Sequence, residues 1–223
     1  MSEFRRRLMM ALSDGVPPVA PVFYTYLVFD GVARIQTDIQ FPANGSCRVQ
    51  LGNEATKAGS KYVITVYGSA SGSGAVRYLY GGNTSSSQRQ MCVFYDSTSI
   101  VNGSRYLAYT YNSYGYFLTP KRQGNGDSAQ TFTKGSATHP DGGIMLGHLK
   151  NDTVGYGYDG TMQTFYLYGS DAQNCKKYTD FNSYTPVATL RPCTYNGEAG
   201  FWCVETSTFY GNTYPSGTLI ARD

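Results

Sequence analysis

Short runs rich in β-branched and aromatic residues, separated by Gly, Asn, Ser or Asp, constrain the fold of this chain most strongly. Examples are "VFYTYLVF" (22–29), "ARIQTDIQF" (33–41), "KYVITVYGS" (61–69) and "MQTFYLYG" (162–169). About a dozen or more such runs at this spacing are typical of a β-sandwich or barrel. Only residues 4–12 show a trace of the 3.6-residue apolar period of a helix. The pattern predicts an all-β protein.

The composition agrees with this pattern. The 223 residues include 21 Tyr, 11 Phe and 26 Gly but only four Glu, so strand and turn formers dominate over helix formers. A chain of this length is sufficient for one large β domain with its own core, without disulfides or metals to stabilise it.

The N-terminus differs from the rest of the sequence. "MSEFRRRLMM" is basic and apolar, and "SDGVPPVAPV" after it is rich in proline. The apolar run is shorter than the roughly 7–15 residues of a secretory signal and far shorter than a membrane span. We therefore expect an anchor peptide over 1–12 that stays on the mature protein, an extended linker over 13–22, and one domain over 23–223.

Known catalytic patterns are missing from the sequence. There is no G-x-S-x-G elbow, H-E-x-x-H pair or P-loop, and Glu198 and Glu205 do not form the carboxylate array of sandwich-fold glycosidases. Asp152 and Asp159 offer oxygen ligands for calcium, but solvated turn residues are the simpler interpretation. Beyond residue 7 the charge is nearly balanced, which argues against nucleic-acid binding. The sequence predicts no enzyme activity, no cofactor and no metal.

The five cysteines are widely spaced and odd in number, without a C-x-x-C pair. Buried free thiols of a protein made in a reducing compartment are the simplest interpretation. A pair between Cys193 and Cys203 across neighbouring strands stays open.

Two turn-rich segments combine aromatic side chains with Asn, Asp and Gly, the mixture that binds sugars. They are "YTYNSYGYF" (109–117) and "NDTVGYGYDG" (151–160). Trp202, in the run "GFWCV", is interpreted as a core residue. The candidate glycan-binding residues are Tyr111, Asn112, Tyr114, Tyr116, Tyr156 and Tyr158.

Both ends of the chain resemble laminin-G-like, concanavalin A-like domains of phages of gut bacteria. "FDGVARIQTDIQFPANGSCRVQL" (29–51) resembles their opening strands, and the segment 187–223 resembles their closing phrase. Trp202 and Cys203 stand where that family usually has Tyr and Asp. The leader resembles the M-x-E-F-R-R-R-L start of such proteins. The positions that match the closing phrase are Pro192, Cys193, Gly197, Gly200, Phe209, Tyr210, Asn212, Gly217 and Thr218.

The resemblance implies a jelly-roll antiparallel sandwich and a non-enzymatic virion protein: a capsid decoration, head-fibre or tail-associated subunit. It would be made in the host cytoplasm, act on the virion surface, form a homo-oligomer and contact host or mucosal glycans. Phe4 and Leu8 would share one face of a helical turn and dock on other virion proteins, and Arg5, Arg6 and Arg7 would pair with their acidic groups. A glycan-active enzyme, a bacterial adhesin and a purely structural subunit stay open as alternatives.

Overall fold

The computed structural model describes residues 19–40, 42, 45–51, 60–66, 77–83, 89–95, 106–108, 110–111, 115–118, 121–122, 130–131, 143–147, 157–175 and 178–223. From 60 to 131 the description covers the backbone alone. The described residues are mostly antiparallel β-strands, which confirms the all-β prediction. The helical structure among them consists of two short 3-10 helices, Ser170–Ala172 and Tyr178–Ser183.

The described strands follow the chain in this order: β1 (Val22–Phe23), β2 (Tyr26–Asp30), β3 (Ile35–Gln36), β4 (Ser46–Gln50), β5 (Ser60–Val66), β6 (Arg77–Asn83), β7 (Arg89–Tyr95), β8 (Tyr106–Ala108), β9 (Thr110–Tyr111), β10 (Gly115–Leu118), β11 (Lys121–Arg122), β12 (Gln130–Thr131), β13 (Ile144–Leu146), β14 (Asp159–Met162), β15 (Phe165–Tyr168), β16 (Ala188–Tyr195), β17 (Glu198–Cys203), β18 (Thr208–Gly211) and β19 (Leu219–Arg222).

These strands form sheets with many non-sequential neighbours. The largest sheet has the order β18-β17-β16-β15-β4-β10-β9, and β1 also pairs with β16. A six-stranded sheet has the order β3-β13-β5-β6-β7-β8, a three-stranded sheet has the order β14-β2-β19, and β11 pairs with β12. Because β4 lies between β15 and β10, segments far apart in sequence meet in one sheet.

The main core lies where the inner face of the largest sheet packs against the other strands. Phe165, Leu190 and Phe201 come from the largest sheet, whereas Phe29 and Ile144 come from the other sheets, and all five are fully buried. Face-to-face packing of this kind is sandwich-like. Side chains of a strand alternate between two faces, so every strand of the large sheet also has an outer face.

One carboxylate and one amide fix the turns beside β2 and β18. Asp30 Oδ1 accepts hydrogen bonds from the backbone N–H groups of Val32 (2.8 Å) and Ala33 (2.7 Å), and Asp30 Oδ2 accepts one from Thr218 (2.6 Å). The side chain of Asn212 donates to the carbonyl oxygens of Tyr214 and Gly217 and accepts from the N–H of Arg34. Asn212 and Thr218 belong to the closing phrase, and both act in turn structure.

We expect the stability difference between the wild type and Asp30→Asn to depend on pH. Burial alone would raise the pKa of Asp30, but the N–H groups of Ala33, Val32 and Thr218 outweigh it and lower the pKa. The ionised form therefore stabilises the fold above the ordinary pKa of 3.8, and this contribution disappears as the pH falls through the lower folded-state value. Since Asp30 is exposed, the loss at neutral pH should be about 1 kcal/mol.

Urea denaturation of both proteins between pH 2 and pH 7 measures this difference. The two free energies of unfolding should converge at the acidic end of the range. A difference that stays constant down to pH 2 would contradict the assignment to the carboxylate.

The predicted anchor lies outside the described residues, and so does most of the linker. Phe4, Arg5, Arg6, Arg7 and Leu8 are therefore not placed by the structure. The described chain begins at the exposed Val19, and β1 starts at Val22. Among the residues that the structure describes, no helix combines the length and the apolar character needed to cross a membrane.

Candidate functional site

The structure places part of the first predicted glycan segment at one edge of the largest sheet. Tyr111 ends β9 and lies opposite Gly115 of β10, and Tyr116 of β10 lies opposite Val49 of β4. Asn112, Tyr114 and Tyr156 lie outside the described residues. Tyr111 and Tyr116 are therefore on neighbouring strands, whereas the segment that contains Tyr158 is in another sheet.

Tyr158 is a core residue, and its assignment to a glycan site is corrected. Its side chain is fully buried, and its ring centroid lies 5.8 Å from that of Phe29. The hydroxyl donates a 2.7 Å hydrogen bond to the carbonyl oxygen of Thr161. A ring packed inside the core presents no face to a sugar.

Three other aromatic residues form an outer surface of the largest sheet. Tyr195 of β16, Trp202 of β17 and Phe209 of β18 are half-buried, and we call them the outer aromatic surface. Trp202 lies opposite Phe209 in register, and Cys203, its neighbour in sequence, points into the core. The Tyr195 ring centroid lies 5.3 Å from Trp202 and 5.5 Å from Phe209. The three rings form one continuous aromatic group.

Two glycines bring the ring of Phe209 down onto the sheet. A Cβ atom on Gly200 would lie 2.8 Å from Cε2 and Cζ of Phe209, and one on Gly211 would lie 3.0 Å from its Cε1. The ring therefore occupies the space that side chains at both positions would fill. Any larger residue at either position would push the ring away from the backbone.

Charged side chains flank the outer aromatic surface. Oε2 of Glu198 lies 3.3 Å from the position of a Cβ on Gly211, close to Phe209. On the opposite side Arg191, which lies opposite Trp202 in register, places its guanidinium carbon 4.0 Å from the ring centroid of Phe23. Glu198 and Arg191 are both exposed. The surface therefore combines aromatic carbon with a hydrogen-bond acceptor and a donor at its margins.

A second aromatic group surrounds Arg48 on the outer face of β4 and β15. Its guanidinium carbon lies 4.6 Å from the ring centroid of Tyr166, 5.8 Å from that of Tyr168 and 5.2 Å from that of Tyr178. Nη1 of Arg48 donates a 2.8 Å hydrogen bond to Oδ1 of Asn182. Since Tyr178 and Asn182 belong to the second 3-10 helix, Arg48 fastens that helix to the sheet.

This arginine group is largely closed to solvent. Tyr168 is fully buried and packs against Phe181 with ring centroids 4.8 Å apart. Burial raises the pKa of Tyr168 to about 12, against the opposing effect of the Arg48 charge. Nε of Arg48 is itself buried. The arrangement fits a packing role better than recognition of an external ligand.

The cysteines settle the question of a disulfide between β16 and β17. Cys193 lies opposite Gly200 on the outer face, whereas Cys203 lies opposite Leu190 and belongs to the core. Residues on opposite faces of a sheet cannot be bridged without moving the backbone. Cys47, Cys193 and Cys203 are buried free thiols. Burial raises the pKa of Cys193 to about 11, so this thiol is unreactive at neutral pH.

The two carboxylates of the enzyme alternative have different surroundings. Glu198 lies on the outer face opposite Tyr195, whereas Oε2 of Glu205 accepts a 2.7 Å hydrogen bond from the N–H of Thr189. Within the described part of the chain, no three His, Cys, Asp or Glu side chains cluster as metal ligands would.

The sequence pattern does not predict the outer aromatic surface. The sequence predicts a core position for Trp202, and this prediction is wrong, because the structure places the residue half-buried on the outer face. The alternation of Gly200 and Trp202 with Phe201 and Cys203 was a signal for two faces. This alternation did not indicate which face of β17 points inward, because both faces carry apolar residues.

Comparison of the chain with protein-family models, with curated proteins and with solved structures finds no match. The functional interpretation therefore depends on the sequence and on the geometry above.

Proposed function

We propose that this chain is a non-enzymatic phage virion structural protein that displays a lectin-like domain on the particle surface. The domain would be a concanavalin A-like jelly roll, and the protein would serve as a capsid decoration, head-fibre or tail-associated subunit. The observation that carries the glycan-facing role is the outer aromatic surface, where Tyr195, Trp202 and Phe209 lie half-buried between Glu198 and Arg191. Aromatic faces with polar groups at their margins are suited to sugars.

The closing phrase supports the same interpretation. Gly200 accommodates the ring of Phe209, Asn212 holds the turn before β19, and Thr218 donates to Asp30. These three positions of the closing phrase therefore stabilise a turn or a ring contact in this chain. A shared fold leaves the function to be argued from the site.

Docking through the N-terminus fits the point at which the chain enters the domain. Val19 and Val22 are exposed, so the preceding segment joins the domain at its surface. Phe4 and Leu8 would supply apolar contacts with other virion proteins, and Arg5, Arg6 and Arg7 would supply ion pairs. Homo-oligomeric display of many copies would convert weak sugar contacts into useful avidity.

Removing residues 1–16 should abolish incorporation into particles and leave the domain folded. The reason is that the segment would carry the docking contacts while the core lies within the domain. Quantitative peptide mass spectrometry of purified particles measures copy number, and circular dichroism with thermal unfolding measures folding.

A double variant, Phe4→Ser with Leu8→Ser, tests the apolar contacts alone, and Ser2→Ala with Ser13→Ala is its control. The control should incorporate like the wild type. Normal incorporation of the truncated protein would refute docking through the N-terminus. Absence of the full-length protein from particles would refute the virion role.

A further inference from the structure

We propose that the outer aromatic surface binds the apolar face of a pyranose ring within a polysaccharide, and that Glu198 accepts hydrogen bonds from the hydroxyls of that sugar. This inference deepens the proposed function, on which it rests for the glycan-facing role. It moves the glycan site from the segments 109–117 and 151–160 to the strands β16, β17 and β18.

The position of Phe209 is the first reason. Its ring lies over both Gly200 and Gly211, so the carbons Cε1, Cε2 and Cζ are held close to the backbone of the sheet. The residue is only half-buried, so part of the ring is open to solvent. An aromatic ring fixed in this way can contact the C–H groups of a sugar without first being ordered, which lowers the entropic cost of binding.

The position of Glu198 is the second reason. Its Oε2 and the Phe209 carbons Cε1 and Cζ all lie within 3.5 Å of one point, the position of a Cβ on Gly211. A carboxylate is therefore close to the edge of an aromatic ring. A pyranose needs this combination, because its hydroxyls project from the rim of its apolar face. The carboxylate is exposed and can accept hydrogen bonds from those hydroxyls.

The size and shape of the surface are the third reason. An aromatic side chain has roughly 150–250 Å² of surface, so three half-buried rings expose a few hundred Å² at most. A stable protein interface needs about 800 Å² on each partner. The Tyr195 plane is tilted by 51° from that of Trp202 and by 42° from that of Phe209, so the three rings do not form one flat surface. A surface of this area fits one or two sugar rings of a chain better than a protein partner.

Trp202 is the only tryptophan of the chain, so its fluorescence reports directly on the proposed site. The full-length protein is titrated with hexasaccharides of β-linked glucose, xylose and N-acetylglucosamine and with mucin O-glycans. Binding at the outer aromatic surface should give a saturable change in emission and protect Trp202 from acrylamide quenching. Isothermal titration calorimetry gives the affinity independently.

Phe209→Ala and Tyr195→Ala should each weaken the affinity about tenfold. Glu198→Gln should weaken the affinity by a smaller factor. Neither this variant nor the wild type should release reducing sugar from the oligosaccharides. Tyr26→Ala, a half-buried tyrosine on β2, is the matched control. If Phe209→Ala unfolds, Phe209→Leu is used in its place, because it removes the aromatic ring and keeps an apolar side chain.

Unchanged affinity in the Phe209 and Tyr195 variants would overturn the assignment of the site. Absence of saturable binding of every probe at millimolar concentration would overturn glycan binding by this surface. Neither result depends on incorporation into particles, which tests the virion role separately. A variant that binds sugar but is not incorporated would bear only on docking. A variant that is incorporated but does not bind sugar would bear only on the sugar site.

Discussion

Phe29→Ala should lower the free energy of unfolding by about 3–5 kcal/mol, the largest loss expected from a single substitution here. Phe29 is fully buried in the middle strand of the three-stranded sheet, and its ring packs against Tyr158. A Cβ atom on Gly147 would lie 2.5 Å from two of its ring carbons, so the ring also covers that backbone closely. Removing the ring leaves a cavity, because the Gly147 backbone beside it has no side chain that could fill the space.

Equilibrium urea denaturation, followed by far-ultraviolet circular dichroism and by Trp202 fluorescence, measures this loss. Phe23→Ala is the matched control, since Phe23 is 36% exposed and lies on the outer face beside Arg191. The control substitution should lower the free energy of unfolding by less than about 1 kcal/mol. A comparable loss in both variants would contradict the placement of the core.

The class of fold was predictable from the sequence because alternation and turn residues are local signals. The division of strands among sheets was not. The run "VFYTYLVF" predicts one strand, and the structure divides it into β1, which pairs with β16, and β2, which lies in another sheet. The N–H of Tyr24 donates to the carbonyl of Pro192, and Asp223 accepts a hydrogen bond from Thr25. The partners of Tyr24 and Thr25 each lie about 170 residues or more further along the chain. No local pattern therefore encodes the break between β1 and β2.

The candidate site was less predictable than the fold for a related reason. A period of two identifies two faces of a strand, but burial of one face depends on which sheet covers it. Tyr158 was expected at a ligand site and lies in the core, whereas Trp202 was expected in the core and is half-buried outside. Turn-rich sequence around Tyr158 and apolar sequence around Trp202 were poor guides to exposure, because turns also pack and outer faces also carry aromatic residues.

The setting of Arg48 shows the same limit for charged residues. In sequence it belongs to an ordinary alternating strand, and a solvated side chain would be expected there. The structure surrounds it with Tyr166, Tyr168 and Tyr178, which lie more than one hundred residues away. Such a group arises only once β4 and β15 are neighbours, so it follows from topology and not from local sequence.

Gly200→Val should destabilise the domain by at least about 2 kcal/mol and disturb the outer aromatic surface at the same time. A Cβ atom at this position would meet the carbonyl oxygen of Tyr210 in the neighbouring strand and two ring carbons of Phe209. The backbone contact cannot be relieved by a change of rotamer, so β17 and β18 must separate locally. The ring of Phe209 must also rise from the sheet, because the added side chain occupies its place.

Two measurements separate these effects. Urea denaturation gives the loss of stability, and near-ultraviolet circular dichroism together with Trp202 emission reports on the aromatic surface. Gly169→Ala is the matched control, since a Cβ there would meet only side-chain atoms, at 3.3 Å or more, and it should leave both signals nearly unchanged. If Gly200→Val were as stable as the wild type and kept its aromatic spectrum, Phe209 would not lie on the sheet, and the geometry on which the sugar site depends would be wrong. Loss of stability together with loss of the aromatic signal would tie this glycine of the closing phrase to both the fold and the proposed binding surface.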